Sequence, residues 1–388
     1  MRTRPMQGRV VRTSHESACL QGNPLGDPYE RDIYVYLPPG YDGTRRFPVV
    51  MMLAGFGSTN HSIAAWSPWA PNTVQLFDKL IVGGECGPAI LVLPDCFNRW
   101  GGSQFIDSEG SGRYQTYLAD EVFPFVDAEF NTIADRQARA VVGRSWGGFG
   151  ALRLGMDRPD VVSVIGSHAG DAAFEVSMRP MLTSAAIAFD LAGGVEAFAK
   201  EVPRSGPQNA TQFDAIFTLA ASAAYSPSSS GFPFADLPIN PATGRLRDEV
   251  WARWLEHDPL YRIEASSAAL QEMSLIYVDA GNRDEHGLHF AARLLKDALL
   301  RHGLPVHYDE FEGGHRGTSW RYEVSLPQIV EALRGPEWRP KRRARRKRTL
   351  WRRSRQSRPR SPGVRPRRRE RFSPTRARNR SSPSTARR

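Results

Sequence analysis

Apolar positions along this chain fall into short blocks separated by glycine, proline and polar turns. Residues 48–53 (Pro-Val-Val-Met-Met-Leu) and 88–93 (Pro-Ala-Ile-Leu-Val-Leu) are unbroken apolar runs. Such runs, too short for helices, predict strands covered on both faces of a parallel sheet. Residues 8–13, 32–37, 140–142, 161–165, 273–278 and 305–308 predict further strands. Between them the period changes to that of a helix. Helices are expected over 73–82, 114–130 (kinked by Pro124), 148–156, 288–301 and 326–333. The stripe Leu288, Ala291, Ala292, Leu295, Ala298 and Leu299 gives residues 288–301 one apolar face.

Strands alternating with helices indicate an α/β fold, a mostly parallel central sheet with helices on both faces. The rhythm fails over 171–260. Alanine-rich helical pieces (181–192, 213–224) there flank a Ser/Pro/Gly patch at 226–233 and a turn-rich stretch at 238–244. This segment reads as a helical lid or cap inserted at the C-terminal edge of the sheet, where ligands of such folds gather.

Charge divides the chain in two. Residues 341–388 hold 22 Lys and Arg against one acid, Glu370, so this end alone is +21. The whole chain is +11, which leaves residues 1–340 at −10. Residues 1–335 therefore read as one folded domain of net negative charge. Residues 336–388, nearly all Arg, Pro and Ser, read as a disordered tail that lacks the apolar content to offset ordering entropy. The tail offers non-specific contact to RNA, DNA or other anionic surfaces, with only Trp351 and Phe372 available for stacking. No run of 18 apolar residues predicts a membrane span, and the N-terminal residues lack the apolar core of a secretory signal. Three cysteines (Cys19, Cys86, Cys96), without metal-type spacing, fit reduced thiols in a cytoplasmic protein.

The stretch Gly143-Arg144-Ser145-Trp146-Gly147 sits between a predicted strand and a predicted helix. It fits the G-x-S-x-G elbow, in which a sharp turn presents a serine nucleophile. Small residues are needed two positions either side because the turn brings backbones together. An activated serine needs a base, and the base needs an orienting acid. In sheets of this kind those partners follow the serine in the order acid, then histidine. Asp284 lies in the loop after the 273–278 strand and is the candidate acid, preferred over Asp279 at the strand's end and Glu285 at the expected start of the next helix. The competing reading is that Asp284 simply caps that helix, and its loop position favours the catalytic one. His315, in Gly313-Gly314-His315 after the 305–308 strand, is the candidate base. His286 and His289 read as a helix-surface pair with no further metal ligands nearby. The N–H groups of Trp146 and of Phe56, in Ala54-Gly55-Phe56-Gly57, are the candidate oxyanion donors. This chemistry requires no cofactor, and neither a phosphate-binding nor a dinucleotide-binding glycine fingerprint is present.

The chain resembles the putative esterase (esterase D-like) family of α/β-hydrolases. The similar stretches are 33–41, 47–56, Gly102-Ser103-Gln104-Phe105, the elbow with 150–154, Gly281-Asn282-Arg283-Asp284 and Gly313-Gly314-His315. The resemblance implies an α/β-hydrolase fold over about residues 30–335 and a serine carboxylesterase acting on a small-molecule ester through Ser145, His315 and Asp284. It leaves the acyl and alcohol groups and the oligomeric state open. Two alternatives stand beside it: an acyltransferase using the same residues, and an inert hydrolase body that binds nucleic acid through the tail. Where the family usually has His-Gly this chain has Ala54-Gly55, and Trp146 replaces a small residue or Met, with bulk that narrows the acyl pocket. Residues 171–260 are longer than in compact members, which argues against an S-formylglutathione hydrolase.

Overall fold

A computed structural model describes residues 5–333. The expectations for residues 336–388 lie outside the described residues. Eight strands form one sheet: β1 (Arg9–Glu16), β2 (Glu30–Leu37), β3 (Val49–Leu53), β4 (Ile90–Pro94), β5 (Arg139–Arg144), β6 (Val164–His168), β7 (Leu275–Gly281) and β8 (His307–Phe311). Their spatial order is β1-β2-β4-β3-β5-β6-β7-β8. The β1–β2 and β2–β4 pairings are antiparallel and the rest are parallel. The sheet is therefore mostly parallel, as the apolar runs predict.

Strand β3 shows why its run is continuous. Val49, Met51 and Leu53 face one apolar layer, and Val50 and Met52 face another. The longer helices include α1 (Thr73–Val82), α2 (Trp146–Asp157), α3 (Leu182–Leu191), α4 (Val195–Ser205), α5 (Ala210–Tyr225), α6 (Asp248–Leu255), α7 (Leu288–Arg301) and α8 (Tyr322–Ala332). Phe77 of α1 and Leu326 of α8 pack in the layer that Val50 and Met52 enter, whereas Phe149 of α2 and Leu295 of α7 pack on the opposite side.

Three departures from the sequence pattern have physical causes. Residues 114–129 are helical but not uniform. Tyr117–Val122 is a π-helical segment between α-helical turns at Tyr114–Thr116 and Phe123–Glu129. Pro124 has no N–H to give the preceding turn, and the wider turn takes up the misfit. Strands β6 and β7 begin and end about three residues later than their apolar runs. Their polar C-terminal residues His168 and Asp279 pair with each other at 2.8 Å in the interior, so hydropathy alone ends both strands early. Strand β8 is the polar segment His-Tyr-Asp-Glu-Phe, starting after Pro305 and pairing only with β7.

The segment between β6 and β7 supplies helices α3 to α6 and lies over the C-terminal ends of the strands. Asp171, Ser177, Met181, Phe213 and Phe217 from this segment help to wall a cavity that Ser145 also lines. Among the described residues no single helix is long and apolar enough to cross a membrane.

Candidate active site

Ser145 joins β5 to α2 with φ 56° and ψ −124°, a backbone conformation that a residue with a Cβ rarely adopts. Such strain costs on the order of 1–3 kcal/mol and persists only where the surroundings enforce it. Two features enforce it here. The Ser145 N–H donates to the His168 carbonyl at 2.9 Å. The flanking glycines leave no alternative: a Cβ on Gly143 would lie 2.2 Å from the Gly147 carbonyl carbon, and one on Gly147 would lie 2.3 Å from the Leu53 carbonyl oxygen. Trp146 is the first residue of α2, so its N–H has no acceptor within the helix and sits at the positive end of the helix dipole.

Asp284 and His315 come from the loops after β7 and β8. His315 Nδ1 lies 2.8 Å from Asp284 Oδ2. Asp284 Oδ1 accepts from the N–H groups of His286 (2.9 Å) and Leu288 (3.4 Å). Asp284 thus caps the turn leading into α7 with one oxygen and meets the His315 imidazole with the other. Burial works to raise the Asp284 carboxyl, but the His315 hydrogen bond and charge, with the two N–H donors, outweigh it and hold the group below the usual carboxylate range.

The His315 loop is braced from three directions. Its N–H donates to Glu285 Oε2 at 2.8 Å. Its carbonyl accepts from Thr318 Oγ1 at 3.3 Å, and Thr318 Oγ1 accepts from Arg144 Nη1, next to the serine, at 3.1 Å. Gly281 lets the two loops touch: a Cβ there would lie 2.4 Å from the Gly313 carbonyl oxygen. Glu285 is a loop residue, since α7 starts only at Leu288.

Ser145 and His315 line one cavity of about 230 Å³. No hydrogen bond joins their side chains. Hydrogen bonds at such sites often tighten only when substrate is bound. Phe56, the proposed second oxyanion donor, lies in the same wall. Its loop lacks the usual histidine and is held by backbone bonds instead, Gly57 N–H to Gly101 O at 2.9 Å and Ser58 N–H to Gly55 O at 3.0 Å.

Two sequence-based expectations need correction. The Trp146 ring does not face the cavity. It is fully buried behind the wall, with its centroid 4.4 Å from that of Phe56 and 4.8 Å from that of Phe217. His286 and His289 do not form a helix-surface pair. His286 precedes α7, lines the cavity and meets the His315 ring edge-on at 4.9 Å, whereas His289 is buried against Phe290. Sequence reasoning missed His286 as a site residue, although its place two residues after Asp284, in the turn that Asp284 caps, was a usable signal. Asp171 was missed as well.

A second acid–histidine pair lies apart from the first. Asp279 Oδ1 lies 2.8 Å from His168 Nδ1, and His168 Nε2 lies 3.1 Å from Ser325 Oγ. All three residues are buried, at 1 %, 3 % and 0 % exposure. Asp279 Oδ2 also accepts from Arg321 Nε and from the Tyr277 hydroxyl. This network is buried between the sheet and α8, and none of the three lines the Ser145 cavity. Its trio resembles a catalytic one in composition and hydrogen-bond pattern, but it is buried and takes no part in the wall of that cavity.

The profile of the family described as Putative esterase matches residues 28–333. The chain belongs to that family. Over 145 residues it is 30% identical to an endo-1,4-beta-xylanase/feruloyl esterase of Xylanibacter ruminicola, covering 35% of this chain and 19% of that protein. Over 146 residues it is 29% identical to an esterase of Mycobacterium tuberculosis, covering 36% of this chain and 29% of that one. The aligned part spans less than a third of either relative. Among solved structures a ferulic acid esterase shares the fold with a TM-score of 0.55 at 20% identity, covering 84% of this chain and 100% of that one. An S-formylglutathione hydrolase from Agrobacterium tumefaciens does so with a TM-score of 0.52 at 15% identity, covering 85% and 98%. The putative esterase family assignment thus rests on sequence, and the α/β-hydrolase type of fold on structure.

Proposed function

We propose that this chain is a serine carboxylic-ester hydrolase whose nucleophile, base and orienting acid are Ser145, His315 and Asp284. The observation that carries the reading is the 2.8 Å Asp284–His315 pair at the rim of the cavity that Ser145 enters from its strained turn. Family membership supports the reaction class.

In this reading His315 Nε2 takes the Ser145 hydroxyl proton as Oγ bonds to the ester carbonyl carbon. The N–H groups of Trp146 and Phe56 hold the oxyanion of the tetrahedral intermediate. The intermediate collapses, the carbon–oxygen bond to the alcohol breaks, and His315 gives its proton to the departing alkoxide. Water, deprotonated by His315, attacks the acyl-enzyme, and the acid leaves as Ser145 regains its proton. Asp284 fixes the His315 tautomer and stabilises the imidazolium without accepting its proton.

The aromatic part of the cavity wall favours bulky or aromatic groups. Phe56, Phe213 and Phe217 line the cavity, with the Phe56 ring 5.3 Å from Phe213 and 5.2 Å from Phe217. Relatives named as feruloyl esterases make aromatic acyl esters the first substrates to try. The test is hydrolysis of p-nitrophenyl acetate, p-nitrophenyl butyrate and methyl ferulate by the full chain and by Ser145→Ala. Loss of turnover by three orders of magnitude or more is expected in the variant. Turnover at the parental rate would remove Ser145 as the nucleophile.

A further inference from the structure

Among the described residues that line the Ser145 cavity, Asp171 is the only acid, and ester hydrolysis as described above makes no use of it. It lies on the loop after β6, is 4 % exposed, and its Oδ2 has no hydrogen-bond partner among the described residues. The loop fixes its place. Ala169 and Ala173, on either side, both have positive φ (43° and 49°). The Ala169 N–H donates to the Asp279 carbonyl at 2.7 Å, and the N–H groups of Ala173 and Phe174 donate to Asp258 at 2.8 and 2.6 Å.

An unpartnered carboxylate at this depth is costly. Burial first, and then the charges of Asp284 and Asp258, push the Asp171 carboxyl up to about 8, so at neutral pH it is largely the uncharged acid. In that form it offers one O–H donor and a carbonyl acceptor. A hydroxyl, itself both donor and acceptor, is the small neutral group that matches. The rest of the wall argues against charged ligands at this spot. Arg144 and Arg316 line the same cavity and oppose an ammonium group. A carboxylate would be drawn to the arginines rather than to Asp171.

We propose that Asp171 is a specificity-determining residue, which hydrogen-bonds a neutral hydroxyl group of the ester substrate and so selects hydroxylated esters over their deoxy analogues. The proposal rests on the Ser145-centred reading of the cavity. A site built to bond a hydroxyl rejects the analogue without it far more strongly than an apolar pocket rejects an added group.

The hydroxyl can belong to the acyl part or to the alcohol part, and two matched pairs of substrates separate these. Methyl 3-(4-hydroxyphenyl)propanoate against methyl 3-phenylpropanoate tests the acyl side. 2-(4-Hydroxyphenyl)ethyl acetate against 2-phenylethyl acetate tests the alcohol side. The full chain is expected to favour the hydroxylated member of one pair by about tenfold or more in kcat/KM. Asp171→Leu should bring that ratio to near one, while the near-isosteric Asp171→Asn, which still donates and accepts, should keep most of it. Ratios near one for both pairs in the parent chain overturn the proposal with no variant needed. So does an unchanged ratio in Asp171→Leu. Ser145→Ala run on the same esters separates the two levels. If hydrolysis survives that change, the reading of the cavity fails and takes the proposal with it. If hydrolysis depends on Ser145 but the ratios are flat, only the role of Asp171 is lost.

Discussion

Asp284 divides its two oxygens between His315 and the turn before α7. Oδ2 lies 2.8 Å from His315 Nδ1, and Oδ1 accepts from the N–H groups of His286 and Leu288. One carboxylate therefore sets both the orientation of the imidazole and the path of the chain that carries it. Asp284→Asn keeps the shape but can present an N–H to Nδ1, which disfavours the tautomer that the base requires. The expected result is a fall of about 10³–10⁴ in kcat with KM much less changed. Asp284→Ala should in addition lower the melting temperature, because two backbone donors lose their acceptor. Steady-state kinetics and thermal melts of the two variants check this.

The sealed Ser325–His168–Asp279 trio predicts the opposite pattern. Ser325→Ala removes a hydroxyl that no substrate in the cavity reaches, so ester hydrolysis should stay within about threefold of the parent. Asp279→Ala leaves the buried Arg321 guanidinium with one fewer partner and His168 without its acceptor. Breaking a buried charged network by removing one member typically costs about 3–5 kcal/mol. Chemical denaturation should register that loss. A Ser325→Ala variant devoid of activity would reverse the assignment of the two trios.

How much of this was legible in the sequence depended on whether a residue answered to a local rule. The strands β3, β4 and β5 and the elbow were visible because a two-sided core demands unbroken apolar runs, and because Gly143 and Gly147 sit where a Cβ cannot fit. Asp284 and His315 could be chosen from their loop positions and chain order. Asp279 could be set aside only by its place at the end of a strand, not by its actual partner. Its pairing with His168 links residues 111 apart in the chain, and no local pattern encodes such a contact. Asp171 was invisible for the same reason. Within a segment read as a lid, a lone acid looks like a surface residue until the fold places it in the wall of the Ser145 cavity. The bulk of Trp146 was read correctly but its direction was not, because the space behind Phe56 exists only once α5 is in place.

Asp171 also has a signature in stability against pH. Its folded-state carboxyl titrates at about 8, above the ordinary aspartate range. A carboxyl raised in this way binds its proton more tightly in the folded chain than in the unfolded one. Its favourable contribution is complete below the unfolded value near 4 and is lost as pH rises toward 8. Asp171→Asn does not titrate, so the variant should gain on the parent across that window. The melting temperature of Asp171→Asn minus that of the parent should widen by a few degrees between pH 5 and pH 8. A constant difference would show that this carboxyl is already ionised at pH 5 in the folded chain.

The aromatic wall gives a last, separable test of what the cavity holds. Phe217 lines it and packs 5.2 Å from Phe56 and 4.8 Å from Trp146, centroid to centroid. Truncation to alanine removes apolar surface that a large acyl group would cover, and fully burying a phenyl side chain is worth about 1.5–3 kcal/mol. The effect must fall mainly on substrates long enough to reach that wall. Phe217→Ala should therefore lower kcat/KM for methyl ferulate by about tenfold or more, with p-nitrophenyl acetate changed by less than about threefold. Phe56→Ala keeps the backbone N–H proposed for the oxyanion and should follow the same pattern if that donor stays in place. Equal losses on the acetyl and feruloyl esters in Phe56→Ala would mean instead that the ring holds the loop and its N–H in position, tying the aromatic wall to catalysis rather than to substrate choice.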